Sequence, residues 1–208
     1  MQENTKNIVA CSPVVNSLAL LDSLVMMRLV LLGGPGAGKS TQSKFLCEKF
    51  QLQRVSVGDI LRQAIADQSE LGKQAESYVN QGKLIPDPLI IEFMRDRLTQ
   101  PDMANGWVLE GYPRTAFQAE ELDFLLDDLA QTLNKAIYFK VDEQVLSERS
   151  QARGLTDDTP EAIRERLKAF WESTEPILDY YAPRQKLLTI DAGQPIDAIS
   201  TELIHGLQ

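Results

Sequence analysis

The chain has 208 residues, of which 43% are hydrophobic and 25% charged, as is ordinary for a globular protein. Its formal net charge of −9 argues against a polyanionic partner, so neither nucleic acid nor an anionic membrane is expected to bind. Two cysteines without metal-binding spacing and a single histidine, His205, exclude a zinc site and Ser-His-Asp chemistry.

Residues 1–26 precede the first predicted strand and differ from the rest of the chain. Two weakly apolar runs, Ile8–Val15 and Leu18–Met26, have no basic leader and are too short to span a membrane, so no signal peptide or membrane segment is expected. The cysteine usage suits a reducing compartment and predicts a cytoplasmic protein. The segment is expected to be an extension that the chemistry does not need. An accessory helix, a disordered tail and a misassigned start codon all remain open for it.

From Arg28 onward, short apolar strands alternate with helical patterns, which is typical of a parallel sheet covered by helices on both faces. No strand pattern occurs between residues 58 and 98, where about three helical segments predict an insertion that stands off the sheet. We therefore expect an α/β fold, a three-layer sandwich around a five-stranded parallel sheet. The predicted strands are Arg28–Leu32, Gln53–Val57, Trp107–Glu110, Ala136–Val141 and Leu187–Ile190.

The loop after the first strand, Gly33–Thr41, reads GGPGAGKST and fits the phosphate-binding pattern G-x-x-x-x-G-K-[ST]. Glycines allow successive backbone N–H groups to point at anionic oxygens, and a helix over Lys39–Phe50 would add the positive end of its dipole. Lys39 would reach the β- and γ-phosphates, and Ser40 or Thr41 would offer a hydroxyl to Mg²⁺. The loop therefore predicts a bound nucleotide but does not indicate a reaction.

Phosphate-binding or cationic residues follow four of the five predicted strands. Ligands of open α/β sheets bind beyond the carboxyl ends of the strands, so these residues are expected to converge. In a chain of net charge −9, their convergence favours two anionic ligands. The alternative is that several form ion pairs on helix surfaces, as is expected for Arg164 beside Glu161. The cations concerned are Lys39, Arg62, Arg114, Arg149, Arg153 and Arg166.

Two phosphate sites that face each other indicate phosphoryl transfer, which needs alignment and charge neutralisation more than a covalent group. Glu110 ends the third predicted strand, where its carboxylate, together with Ser40, can order Mg²⁺ through bound water. The alternative for Glu110 is an ordinary acidic residue at a strand end.

Several motifs in a fixed order resemble the adenylate kinases, in the short-lid form of the nucleoside monophosphate kinase family. They are GGPGAGKST, SVGDILR, QGKLIPD, VLEGYPRTAFQ and the RxxxRG…DD…RERL tail, and the resemblance covers about residues 27–205. It implies a P-loop kinase domain over 27–208, with a monophosphate-binding lobe over 56–85 and a short lid over about 149–160. It also implies a monomer that uses MgATP, without zinc, to convert AMP reversibly into ADP.

The resemblance assigns roles to individual residues. Lys39, Arg114, Arg149, Arg153 and Arg166 would be catalytic, and Asp157 and Asp158 would position the lid arginines. The ATP side would comprise Gly36, Ala37, Gly38, Lys39, Ser40, Thr41, Arg149, Arg153 and, through its backbone, Gln194. The AMP side would comprise Val57, Arg62, Lys83, Leu84, Ile85, Gly111, Tyr112, Pro113, Arg114, Gln118 and Arg166, with the Gln118 amide against the adenine edge. Glu110 and Ser40 would hold Mg²⁺ through water.

Two departures from the family pattern leave other functions open. Val57 stands where a threonine usually contacts adenine, and the lost hydroxyl weakens AMP affinity by up to about tenfold. Leu155 stands where an arginine is expected, and such a charge-assisted contact contributes about 1.5–3 kcal/mol. A kinase for UMP or CMP, and a weakly active or inactive nucleotide-binding sensor, are therefore kept as alternatives to ATP:AMP phosphotransfer.

Overall fold

A computed structural model describes residues 26–208. The predictions for residues 1–25 lie outside this range. In the described part of the chain, five strands form one parallel sheet in the order β2-β3-β1-β4-β5. The strands are β1 (Arg28–Leu32), β2 (Gln53–Ser56), β3 (Trp107–Glu110), β4 (Lys135–Lys140) and β5 (Leu187–Asp191).

The predicted five-stranded parallel sheet is confirmed, with small differences at four strand ends. The prediction that the second strand includes Val57 is wrong, because the Ser56 hydroxyl accepts a hydrogen bond from the Asp59 N–H and starts a helix. The fourth strand begins and ends one residue earlier than predicted, and the fifth continues one residue further, to Asp191.

Helices connect the strands and extend the chain beyond the last one. Three of them follow one another between β2 and β3, as the strand-free region predicted. The helices are α1 (Lys39–Phe50), α2 (Val57–Ala66), α3 (Glu70–Asn80), α4 (Asp87–Leu98), α5 (Ala116–Asp128), α6 (Glu143–Arg153), α7 (Pro160–Ala169), α8 (Ile177–Tyr181) and α9 (Ile196–Leu207). A 3₁₀ turn at Pro101–Met103 precedes β3, and a π-helical turn at Phe170–Thr174 continues α7. None of the helices in residues 26–208 is long and apolar enough to cross a membrane.

Side chains that alternate along the strands divide the core into two apolar clusters, one on each face of the sheet. Val30 and Leu32 of β1 pack on one face with side chains of α4, α5 and α8. Leu29 and Leu31 pack on the opposite face with side chains of α1, α6, α7 and α9. Both faces are therefore covered, and the predicted three-layer arrangement is confirmed. The sheet is held rigidly from both sides, so the loops at its carboxyl edge have a fixed base.

Leu46 joins α1 to the sheet and is fully buried. Replacing Leu46 by alanine removes buried apolar volume beneath the phosphate loop, so we expect the free energy of unfolding to fall by about 2–5 kcal/mol. The matched control is Lys44→Ala, on the exposed face of the same helix, which should change it by less than about 0.5 kcal/mol. Urea unfolding followed by circular dichroism measures both variants, and equal losses would contradict this account of the core.

Candidate active site

The loop between β1 and α1 has the backbone geometry of a phosphate-binding loop. Gly38 precedes α1 with φ of +87°, and the helix begins at Lys39 as predicted. Gly36 has φ of +81°, and a Cβ atom there would lie 2.6 Å from the Leu146 carbonyl oxygen, so only glycine fits. The Lys39 ammonium donates to the Gly33 and Gly34 carbonyls, at 2.6 and 2.7 Å. These bonds hold the cation inside the loop.

Glu110 lies at the end of β3, against the start of α1, with only 4% of its surface exposed. The Ser40 hydroxyl donates to Glu110 Oε2 at 2.9 Å, and the Ser43 hydroxyl lies 3.3 Å from Oε1. Arg54 of β2 forms an ion pair with the same Oε1 and contacts Asp59 Oδ2 at 2.9 Å. Ser40 and Glu110, which were predicted to act together, are therefore in direct contact.

A cavity of about 330 Å³ opens at the carboxyl edge of the sheet, between the phosphate loop, α2, the α3–α4 turn and α6. All six cations singled out from the sequence line it, and Lys83 adds a seventh. Of the described residues, only two carboxylates, Glu110 and Asp157, lie on its wall. In a protein of net charge −9, this concentration of positive charge marks a site for an anionic ligand.

Three of the arginines contact carboxylates near the end of the lid region. Arg153 binds Asp158 through two bonds of 2.9 and 2.7 Å. Arg166 reaches both Asp158, at 2.7 Å, and Asp157, at 2.5 Å. Arg62 contacts Asp157 at 3.6 Å and Asp59 at 2.5 Å. Of the lid arginines that Asp157 and Asp158 were expected to position, Arg153 is in contact with them and Arg149 is not.

Asp158 ionises readily although its carboxylate is buried. Burial disfavours its charged form, but the Arg153 guanidinium and the Leu155 N–H both stabilise the anion and hold its pKa below the ordinary value. The carboxylate is therefore charged at neutral pH.

Arg114 and Arg149 differ from these three because neither guanidinium pairs with a carboxylate within residues 26–208. Arg149 donates to the Ala192 carbonyl at 2.9 Å, which ties α6 to the loop after β5. The backbone of Arg114 is fixed at both ends, by Gln118 and by the Thr174 hydroxyl. Burial, together with the nearby Arg166 cation, lowers the Arg114 pKa to about 10. The side chain of Arg114 is thus a cation without a protein counter-charge.

The pKa of Lys39 is lowered by its burial and by the same positive charges. Burial lowers its pKa to about 7, and the cations Arg114 and Arg153 contribute in the same direction, against an opposing effect of Glu110. Without a ligand, the lysine is therefore poised between its charged and neutral forms near neutral pH.

The side of the cavity opposite the phosphate loop is largely apolar. Val57, which begins α2, is buried beside Gly111. Gln118 of α5 is 2% exposed, and its amide bonds to the Arg114 N–H and to Asp87. The other apolar side chains that line this wall are Leu61, Val79, Leu84, Ile85 and Ile90.

Most of the predicted site residues line the cavity, but three do not. Tyr112 is buried and its hydroxyl donates to the Gln118 carbonyl at 3.1 Å, so it supports the turn from below. Pro113 lines a small adjoining cavity of about 20 Å³. Gln194 lies off the wall, and its amide donates to the Asp191 carbonyl and to Glu202. Leu155, the position of the missing arginine, is not on the wall either.

The α3–α4 turn touches α7 across the mouth of the cavity. A Cβ atom on Gly82, whose φ is +70°, would lie 2.4 Å from the Ala162 carbonyl oxygen. Arg166 adds a bond of 3.2 Å from its guanidinium to the Val79 carbonyl at the end of α3. The two flanks of the site are therefore in contact here.

Comparison with known proteins decides the family. A family model described as adenylate kinase matches residues 31–186 of this chain. The chain belongs to the adenylate kinase family. Adenylate kinase 2 of a Synechocystis species is 56% identical over 178 residues, covering 86% of this chain and 98% of the relative. Adenylate kinase 2 of a Nostoc species is 52% identical over 178 residues, covering 86% and 97%.

A more distant relative shows the same coverage. The adenylate kinase of Stenotrophomonas maltophilia is 41% identical over 186 residues, covering 88% of this chain and 100% of the relative. The family and the phosphotransferase class predicted from the sequence are confirmed, and these relatives support ATP:AMP phosphotransfer over the UMP/CMP kinase and sensor alternatives.

The sequence did not single out two residues that organise this adenylate kinase site, Arg54 and Asp87. Arg54 holds Glu110 and Asp59 together, and Asp87 binds the Gln118 amide. The only available signal for Arg54 was a charged residue inside a short predicted strand, next to a strand that ends in a carboxylate. His205 is exposed in the last turn of α9.

Because Arg114 has no carboxylate partner among residues 26–208, its replacement should affect stability and ligand binding differently. Arg114→Met should leave the free energy of unfolding unchanged or raise it, because it removes a desolvated cation that has no carboxylate partner. It should lower affinity for AMP by at least about tenfold, because a charge-assisted phosphate contact is lost. Calorimetric titration and thermal unfolding measure the two effects.

The matched control is Arg164→Met, which removes an exposed pair with Glu161 and should change neither quantity. Loss of stability in Arg114→Met with AMP affinity retained would show that the guanidinium has a structural role instead.

The low pKa of Lys39 predicts that nucleotide binding takes up a proton. At pH 8 the unliganded lysine, with a pKa of about 7, is mostly neutral, and ATP phosphates should restore its cationic form. We expect the calorimetric heat of ATP binding at pH 8 to depend on the ionisation heat of the buffer. Lys39→Arg, which is charged at every accessible pH, should show less proton uptake. Equal uptake in both proteins would contradict the low lysine pKa.

The same shift has a consequence for stability. Because the unfolded lysine keeps its ordinary pKa near 10.5 while the folded one titrates near 7, the unfolded chain binds more protons between these values. The contribution of Lys39 to stability therefore rises with pH across this window.

Proposed function

We propose that this protein reversibly transfers the γ-phosphoryl group of MgATP to AMP, giving two molecules of ADP. The observation that carries this proposal is a single cavity bounded by a phosphate loop on one side and an apolar wall with a buried amide on the other. Between the two sides lie cations in excess of what one nucleotide needs, including Arg114 without a carboxylate partner. Such a site can hold a donor and an acceptor phosphate face to face.

The donor side is formed by the phosphate loop and the lid arginines. Backbone N–H groups at the start of α1 and the Lys39 ammonium would bind the ATP phosphates, and Lys39 would exchange its bonds to Gly33 and Gly34 for phosphate oxygens. The backbone near Gln194 would touch the ATP base. The proposed ATP-binding residues are Gly36, Ala37, Gly38, Lys39, Ser40, Thr41, Arg149, Arg153 and Gln194.

The acceptor side is formed by α2, the α3–α4 turn and the turn after β3. Arg62, Arg114 and Arg166 would hold the monophosphate, because each can present two donors to phosphate oxygens. Val57 would pack against the base, and Gln118 would bind its edge. Lys83, Leu84, Ile85 and Gly111 would complete the AMP site, while Tyr112 and Pro113 would support it from below.

The residues present fit a magnesium ion next to the phosphate loop. Mg²⁺ prefers hard oxygen ligands and keeps several of its waters, and the Glu110 carboxylate and Ser40 hydroxyl lie together at 2.9 Å. When bound, the ion would neutralise charge on the transferring phosphates. We propose no zinc. Among residues 26–208, no group of three or more His, Cys, Asp or Glu side chains could hold a metal ion.

Catalysis in this proposal is alignment and electrostatic stabilisation. Lys39, Arg114, Arg149, Arg153 and Arg166 would neutralise the charge that spreads over the phosphoryl oxygens. No general base is required, because the attacking oxygen of AMP is already anionic. A monophosphate lobe over 56–85 and a lid over about 149–160 would close to exclude water, which would otherwise compete as the acceptor. We propose that the protein works as a cytoplasmic monomer.

A coupled assay with AMP, dAMP, GMP, UMP and CMP as acceptors tests the proposal. We expect AMP to have the highest kcat/KM, and negligible turnover of AMP beside fast turnover of CMP would overturn it. The double variant Val57→Thr, Leu155→Arg separates a kinase from a sensor. An inactive wild-type protein beside an active double variant would favour the sensor.

A further inference from the structure

The Gln118 amide has two hydrogen-bond partners, of which one is a donor and the other an acceptor. Its Oε1 accepts a hydrogen bond from the Arg114 backbone N–H at 2.7 Å. Its Nε2 donates to Asp87 Oδ1, also at 2.7 Å. The side chain is 2% exposed and lies on the cavity wall, whereas Asp87 lies behind it at the start of α4. Asp87 therefore acts on the cavity only through Gln118.

These two partners fix the orientation of the amide, with Oε1 towards the Arg114 N–H and Nε2 towards Asp87. An ionised carboxylate can only accept and a backbone N–H can only donate. Rotating the amide by 180° would place its oxygen against the Asp87 carboxylate and its NH₂ group against the Arg114 N–H. Both contacts would then be repulsive, so one orientation of the amide is selected.

The fixed amide still has one donor and one acceptor site to offer. A primary amide carries two N–H donors and an oxygen with two lone pairs, and the protein uses one of each. A base that binds Gln118 must therefore present an acceptor to Nε2 and a donor to Oε1. The adenine edge does so with ring N1 and the N6 amino group. The hypoxanthine edge presents the reverse, a ring N–H and a carbonyl oxygen.

We propose that Asp87 is the positioning residue that makes the acceptor site select 6-amino over 6-oxo purine nucleoside monophosphates. This inference rests on the proposed function, in which Gln118 faces the acceptor base. Cytosine carries the same pattern as adenine, with a ring nitrogen acceptor and an amino donor, and uracil carries the reverse. The same constraint therefore ranks CMP above UMP as a minor acceptor.

The test compares AMP with IMP, which differ at the purine edge that meets the amide. Asp87→Asn keeps the size of the side chain but can accept or donate, so the Arg114 N–H alone still favours one orientation of Gln118. We expect the ratio of kcat/KM for AMP to that for IMP to fall by about tenfold, which is the difference between a charge-assisted and a neutral hydrogen bond. The change should lie in KM and in the Kd values measured by calorimetry without ATP, with kcat for AMP nearly unchanged.

Two further variants separate positioning from a general structural effect. Asp87→Glu retains a carboxylate and should restore most of the discrimination against IMP. Asp96→Asn, on the exposed face of the same helix, should leave the ratio unchanged. Thermal unfolding of each variant shows whether α4 remains folded.

An unchanged AMP:IMP ratio in Asp87→Asn, or equal losses for both nucleotides, would overturn the inference. The Kd ratio decides it independently of turnover. A wild-type protein that binds AMP far better than IMP but does not phosphorylate AMP would refute the proposed function while leaving the inference testable by the same ratio. Fast AMP turnover with an Asp87-independent ratio would refute the inference alone.

Discussion

Repulsion between cations around one cavity is the constraint on which the arrangement of this molecule depends. Seven basic side chains of the described residues line a space of about 330 Å³, and burial, together with the neighbouring cations, lowers the pKa of both Lys39 and Arg114. The fold carries them on separate elements, which two apolar clusters hold against a rigid sheet. Burial of the apolar core thus offsets the repulsion between these cations and keeps them in place for an anionic ligand. This arrangement is electrostatic preorganisation.

Carboxylates pair with some of the cations around the cavity and leave others without an ion pair among the described residues. Asp157 and Asp158 share Arg166 and fix its orientation before a ligand arrives. Beside the phosphate loop the roles are reversed, because one cation, Arg54, pairs with two carboxylates, Glu110 and Asp59. Arg114 has no such partner among residues 26–208, so a phosphate could bind its guanidinium without first breaking an ion pair there.

The sequence predicted the sheet, the phosphate loop and the convergence of the cations, because these follow from local patterns and one topological rule. Apolar runs and the G-x-x-x-x-G-K-S pattern locate the strands and the loop, and parallel strands bring their carboxyl ends to one edge. Contacts between elements distant in the chain could not be predicted in this way. The Arg54 pair with Glu110 spans β2 and β3, and the bond from Gln118 to Asp87 spans α5 and α4. The end of β2 was misplaced because the Ser56 cap outweighed the β propensity of Val57.

The approach of Gly82 to Ala162 bears on how long nucleotides stay bound. The contact at this point is between backbone atoms, so it contributes little of the apolar burial that would make separation slow. The bond from Arg166 to the Val79 carbonyl is the polar link beside it, and it comes from a side chain that we propose binds phosphate. In the proposed function, departure of the phosphate and opening of the mouth would therefore be coupled through one guanidinium. The residence time of the product would then depend on this bond, because the close approach beside it buries no side chain.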